Sequence, residues 1–253
     1  MFFNNILKAM RVHHWLKNLL IFIPMFTGHL FLTENIKNLC LFFICLSIVA
    51  SGIYLLNDLL DLETDKKHRT KKLRPLAAGS ISTKQVKLIS PCLLLVGLIG
   101  SLMISLNSFL VIISYLSLAL LYNFIFRKIP FIDTLCLASL YTLRVFSGVV
   151  VISVNTSEWL FMFSFFFFLF LALIKRQTEL STYLEHGDKQ KTIRGYKLTD
   201  ISLIRSTVVS SGFLSVLIFS LYISSDKVGN LYEYPLFLWI ATLLLFIWII
   251  RIV

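Results

Sequence analysis

The amino-acid sequence predicts an all-α, polytopic transmembrane helical bundle of eight spans with both termini in the cytoplasm. Three observations carry this. Of 253 residues, 57% are hydrophobic and only 15% charged, against about 45–50% and about 25% in soluble domains. Polar side chains are therefore too few to cover a water-soluble particle. Apolar runs long enough to cross the hydrocarbon core, about 20 residues each, recur at 16–33, 36–58, 85–106, 108–126, 131–153, 158–178, 201–224 and 234–252. Stretches such as FSFFFFLFLALI are apolar on every face, which suits helices whose backbone groups are satisfied internally and lacks the alternation of a membrane barrel. A soluble enzyme, a secreted disulfide scaffold and a disordered chain are excluded.

Before the first run stand Lys8, Arg11, His13, His14 and Lys17, and no small-residue cleavage site follows, so the start is not a cleavable signal. The runs are joined by alternately basic and nearly uncharged connections. Lys8, Arg11 and Lys17 precede the first. Lys66, Lys67, Arg69, Lys71, Lys72, Arg74, Lys84 and Lys87 lie between the second and third, and Arg127 and Lys128 between the fourth and fifth. Lys175, Arg176, Lys189, Lys191, Arg194 and Lys197 follow the sixth, and Arg251 ends the eighth. The alternate connections hold only Lys37 and Lys227. The positive-inside rule then places the basic connections and both termini in the cytoplasm. No repeat or linker divides the chain, which is expected to be a single domain over 1–253. Cys40, Cys45, Cys92 and Cys136 lie inside apolar runs without a C-x-x-C pair and are expected to be small buried hydrophobes.

The net charge of +11 is not topology alone. Nine of the 13 acids fall on the cytoplasmic side, four of them within 58–65. A positive-inside bias needs no carboxylates. In the segment NDLLDLETDKKHRTKKLRP, Asn57, Asp61 and Asp65 are spaced i, i+4, i+8 on one helical face, with Asp58 beside them. Carboxylates so placed repel one another unless a hard divalent cation neutralises them, and Mg²⁺ is held by one or two carboxylates plus substrate phosphates. Asp58, Asp61 and Asp65 are thus the predicted metal ligands, with Lys71 and Arg74 among the flanking phosphate partners. The bland alternative is a solvated loop that binds anionic lipid. A second cluster, LIKRQTEL, pairs Lys175 with Glu179 across one helical turn beside Arg176, and Arg194 and Tyr196 follow it. By itself it reads as a snorkelling helix end with a weak ion pair. Arg144, near the middle of the fifth run, costs at least about 2.5–3.5 kcal/mol in lipid. It needs a polar cavity and a partner, for which Asp133, Asp61 and Asp65 are the candidates.

Together these residues resemble the UbiA superfamily of intramembrane prenyltransferases. N-D-x-x-D-x-x-x-D followed by x-x-H-x-x-K-x-x-R-P is similar to that family's first aspartate motif, carried here by Asn57, Asp58, Asp61, Asp65, His68, Lys71, Arg74 and Pro75. Aromatic-acceptor members have a second D-x-x-x-D, where this chain has Lys175-Arg176-x-x-Glu179. That pattern resembles the decaprenyl-phosphate phosphoribosyltransferase branch, as do Trp15-x-Lys17-Asn18, Tyr122 with Arg127-Lys128, Asp133 and Leu143-Arg144. The chain departs in having Val12, His13 and His14 where Pro-Arg-Gln is usual, and Arg127 for a lysine. The family has nine helices, so on this count a terminal one is missing.

The resemblance implies Mg²⁺-dependent transfer of a 5-phosphoribosyl group from phosphoribosyl diphosphate to a polyprenyl phosphate. Asp58, Asp61, Asp65 and Arg144 are then catalytic. Lys17, Asn57, His68, Lys71, Arg74, Tyr122, Arg127, Lys128, Lys175, Arg176, Glu179, Arg194 and Tyr196 are phosphate-binding. The alternative is prenyl transfer from a polyprenyl diphosphate to an aromatic or other small acceptor, and a transporter or lipid-binding protein is the third reading. The implied partners are the bilayer, a lipid phosphate and a soluble diphosphate compound, with no nucleic acid; a homo-oligomer is compatible with the sequence. The implied location is a bacterial inner membrane, with the active site facing the cytoplasm.

Overall fold

In a computed structural model, residues 2–155, 157–185 and 194–253 are described, and the basic residues Lys189 and Lys191 lie outside them. The described residues are helical, with no extended strand. Among the described residues, six helices are long and apolar enough to cross a membrane: Thr33–Leu60, Thr83–Ile104, Leu106–Phe124, Ile132–Val151, Glu158–Thr182 and Leu198–Ile223. The last apolar helix, Leu236–Ile252, has 17 residues, about 26 Å at 1.5 Å per residue.

The predicted span at 16–33 is not one α-helix. A short helix α1 (Phe2–Ala9) is followed by a 3₁₀ helix, Val12–Phe22, and a five-residue α2 (Ile23–Thr27) with Pro24 near its start. The reason is a three-residue rhythm of contacts. Trp15 donates to Ser51 Oγ at 3.0 Å, Asn18 donates to Ser47 Oγ at 3.0 Å, and Ile21 and Pro24 are buried. Those positions align at 3.0 residues per turn, not 3.6. The backbone of Ile21 also meets Gly148 so closely that a Cβ there would strike its carbonyl.

The chain forms two compact units, Met1–Asn123 with Phe146–Val154, and Phe124–Val145 with Asn155–Val253. In the first, α3 (Thr33–Leu60) packs along α5 (Thr83–Ile104). Gly52 and Gly97 let the backbones approach, and Ser90 donates to the Gly52 carbonyl at 2.9 Å, the small-residue contact favoured where lipid offers no hydrophobic drive. The helix α4 (Leu62–Lys67) continues α3 after a bend at Asp61. Ser82 caps α5 by a reciprocal pair with Gln85. The loop before it is pinned by Leu76 and Ile81, buried against Ala9, Leu55 and Val86. The helix α6 is Leu106–Phe124.

In the second unit, α8 (Glu158–Glu185) packs on α9 (Ile201–Ile223), and α9 on α11 (Leu236–Ile252); α10 is Asp226–Leu231. Their core is Phe170, Leu173, Leu180, Tyr196, Ile204, Val208 and Ile249. The helix α7 is Ile132–Val151.

Candidate active site

The carboxylates of the first motif do not gather as three. The helix bends at Asp61 (φ −91°, ψ 5°) while its hydrogen bonding continues, Asp61 N–H to Asn57 O at 3.0 Å and Asp65 N–H to Asp61 O at 2.8 Å. Asp58 and Asp65 are buried, at 3% and 2% exposure. Both meet one guanidinium nitrogen: Arg74 Nη1 lies 3.1 Å from Asp58 Oδ1 and 2.5 Å from Asp65 Oδ2. Arg74 is brought there by the extended residue before Pro75 and held by the buried Leu76 and Ile81 that follow. Asp61 is half-buried at the bend.

Asp58 has a second partner that the motif does not contain. Arg11 Nη2 lies 2.5 Å from Asp58 Oδ1, its guanidinium carbon 5.1 Å from the centre of the Tyr54 ring. Arg11 reaches it from a left-handed backbone conformation (φ 54°). Ser51 Oγ donates to the Met10 carbonyl at 3.0 Å and anchors that turn. Nothing in the spacing links positions 11 and 58, and on sequence Arg11 counted only toward orientation.

His68 accepts at Nδ1 from the backbone N–H groups of Thr70 (3.3 Å) and Lys71 (3.4 Å). That leaves the neutral ring's proton on Nε2. Asn57, Lys71 and Tyr122 are half-buried, and Lys17 is exposed on the 3₁₀ helix.

The second unit builds an ionic cluster around Asp133, in the first turn of α7 and fully buried. Arg176 Nε donates to Asp133 Oδ2 at 2.6 Å, and Tyr196 donates from its hydroxyl to Oδ1 at 2.5 Å. The same hydroxyl accepts from Phe131 N–H at 2.6 Å. Arg176 Nη1 also binds Glu179. The helical pair is thus Arg176–Glu179 at i, i+3, and Lys175, expected to pair with Glu179, is exposed: Arg176 is on the buried face of α8, beside Asp133. Burial, and next the bond to Asp133, push the Tyr196 hydroxyl above its ordinary pKa. Arg127 and Arg194 are half-buried and Lys128 exposed. Arg194 (φ 51°) and Gly195 (φ 84°) form the turn that presents Tyr196.

Arg144, 6% exposed, donates to the Leu140 carbonyl at 3.0 Å and lies 4.9 Å over Tyr141. Asp133, a candidate partner on sequence, is instead engaged by Arg176 and Tyr196.

No group of three or more His, Cys, Asp or Glu side chains that could hold a metal is formed among the described residues. Asp58 and Asp65 nonetheless suit Mg²⁺, which takes one or two carboxylates and completes its shell with phosphate and water. Both already converge on a single cation, the Arg74 guanidinium.

A chain with apolar helices long enough to cross a membrane, and with buried carboxylates and arginines converging beside a span end, is, as a class, a helical membrane protein. Residues 21–253 match the UbiA prenyltransferase family, to which the chain belongs. It is 34% identical over 248 residues to y4nM of Sinorhizobium fredii, covering 97% of this chain and 48% of that protein. It thus spans about half the length of y4nM. It is 32% identical over 228 residues to the nodulation protein NoeC of Azorhizobium caulinodans (88% of this chain, 73% of that one). With decaprenyl-phosphate phosphoribosyltransferase of Mycobacterium tuberculosis the identity is 28% over 205 residues (79% and 68%). The fold matches a UbiA homolog from Archaeoglobus fulgidus bound to GPP and Mg²⁺, with TM-score 0.75, 16% identity and coverage of 95% and 85%.

Proposed function

We propose that this chain moves the 5-phosphoribosyl group of phosphoribosyl diphosphate onto a polyprenyl phosphate, releasing diphosphate, at the cytoplasmic face of a bacterial inner membrane, with both termini on that side. The observation that carries this reading is the state of the second cluster. Where a prenyl diphosphate donor held between two aspartate motifs would want a second D-x-x-x-D, α8 carries Lys175, Arg176 and a single carboxylate, Glu179, which pairs with Arg176. The likeness to a decaprenyl-phosphate phosphoribosyltransferase supports the same choice.

In this reading Asp58 and Asp65, with Asp61 at the bend, hold Mg²⁺, which when bound neutralises charge on the departing diphosphate. Arg74 and Lys71 bind diphosphate oxygens, and His68 donates from Nε2. Asn57, Lys17, Tyr122 and Lys128 supply further polar contacts to phosphate. Lys175 and Arg194 serve the donor's 5-phosphate, while Arg176, Glu179 and Tyr196 hold their own segment in place around Asp133. Arg144 and Arg127 take the lipid phosphate head. The attacking phosphate monoester is largely ionised at neutral pH, its second pKa being about 6, so no general base is required. Direct displacement inverts the anomeric carbon.

The test is incubation of purified protein with Mg²⁺, labelled phosphoribosyl diphosphate and polyprenyl phosphate, followed by solvent extraction. Label in the organic phase supports the reading. Prenylation of an aromatic acid, with no lipid-linked label, overturns it in favour of prenyl transfer, the reading that the GPP-bound neighbour favours.

A further inference from the structure

We infer that Arg11 is the internal counter-ion of the diphosphate site, so that metal and diphosphate enter together and neither enters well alone. Asp58 Oδ1 is shared by Arg11 at 2.5 Å and Arg74 at 3.1 Å, and the carboxylate is 3% exposed. A divalent cation bound at that oxygen must displace a guanidinium. Three aspartates, Asp58, Asp61 and Asp65, face two arginines. A divalent cation arriving alone turns one excess negative charge into one excess positive charge and leaves the displaced guanidinium without an acceptor, in a half-buried site where repulsion is poorly screened. A diphosphate, bringing several negative charges, restores the balance and gives the displaced guanidinium an acceptor.

Arg11 is the residue built to make that exchange. Arg74 holds Asp58 and Asp65 at once and knits the loop to the helix. Arg11 holds Asp58 alone, and its turn is anchored independently, through Ser51 to the Met10 carbonyl and through Trp15 to Ser51. Its stacking on Tyr54, one helical turn before Asp58, keeps the head in place once the ion pair opens. Release of Asp58 by Arg11 therefore leaves the surrounding backbone held.

The inference rests on the metal–diphosphate reading of this site, not on which group is transferred. Its test uses Mn²⁺, read by electron paramagnetic resonance, and inorganic diphosphate. Arg11→Gln is expected to bind Mn²⁺ alone about tenfold more tightly than the wild type, a coupling of ordinary size. In the presence of Mn²⁺, its diphosphate affinity falls by a similar factor. Opposite signs for the two ligands are what a merely structural arginine would not produce. Arg11→Lys, which keeps the charge and loses the fork, lies between, and it decides the matter if the glutamine variant does not fold. Equal Mn²⁺ affinity in the variants and the wild type, or weakening of both ligands together, overturns the inference. Failure of phosphoribosyl transfer leaves it standing.

Discussion

Arg176 and Asp133 stand 43 residues apart in sequence and meet at 2.6 Å, with side chains 1% and 0% exposed. The pair joins the middle of α8 to the first turn of α7, and the Tyr196 hydroxyl on the other carboxylate oxygen ties in the segment before α9. Removing one member leaves the other charge buried without its partner. Asp133→Ala is expected to cost about 3–5 kcal/mol, measured by denaturant unfolding in detergent. Replacing Arg176 and Asp133 together by methionine and leucine should recover part of the loss, and a double variant as unstable as the sum of the singles would count against the pairing.

Tyr196 gives the cluster a pH signature. Its pKa is raised by burial first and by Asp133 next. A proton held more tightly in the folded state stabilises fully below the unfolded tyrosine pKa of about 10. That contribution is lost as pH rises beyond it toward the folded value. The wild type should therefore lose stability above about pH 10 more steeply than Tyr196→Phe. Melting midpoints between pH 8 and 11 check this, and parallel curves would assign the alkaline loss elsewhere.

Asp58 and Asp61 should separate chemistry from folding. Asp61 is half-buried at the bend, so Asp61→Asn is expected to keep the melting temperature while lowering turnover on the order of 10²–10³-fold, the size of a lost charge-stabilising contact. Asp58→Asn should lower both, because it also takes the paired carboxylate from Arg11 and one of two from Arg74, which keeps Asp65. Steady-state transfer beside thermal unfolding distinguishes them. Undiminished turnover in Asp61→Asn would remove Asp61 from the metal's ligands.

Gly195 is needed for its backbone. At φ 84° a side chain is strained, and a Cβ would come within 2.5 Å of the Lys128 carbonyl and 3.0 Å of Pro130 Cδ. Gly195→Ala should cost about 1–3 kcal/mol and loosen Tyr196 from Asp133. Unfolding free energy, with the alkaline transition of Tyr196 shifted down toward the ordinary tyrosine value, reports both effects.

Much of the first cluster was legible. N-D-x-x-D-x-x-x-D and the R-P that closes it are local, and short-range spacing marked Asp58, Asp65 and Arg74 before any contact was known. The second cluster was legible only as residue types. The i, i+4 rule chose Lys175 as the partner of Glu179, whereas the helix turns Arg176 inward and Lys175 outward, and which side of α8 is buried depends on its neighbours. The first apolar run was misread because hydropathy does not register a three-residue rhythm. Trp15, Asn18, Ile21 and Pro24 carry it, but it has meaning only once Ser47 and Ser51 stand opposite.

The sequence by itself determined a membrane-embedded helical chain, the family to which it belongs, and a carboxylate-rich motif suited to a divalent metal. These follow from composition and from residues close together, where helical periodicity alone sets geometry. Tertiary structure decided which cation each carboxylate keeps. Arg11 reaches Asp58 across 47 positions and Arg176 reaches Asp133 across 43. An ion pair depends on distances of a few ångströms, which sequence separation does not encode and which only the packing of these helices supplies.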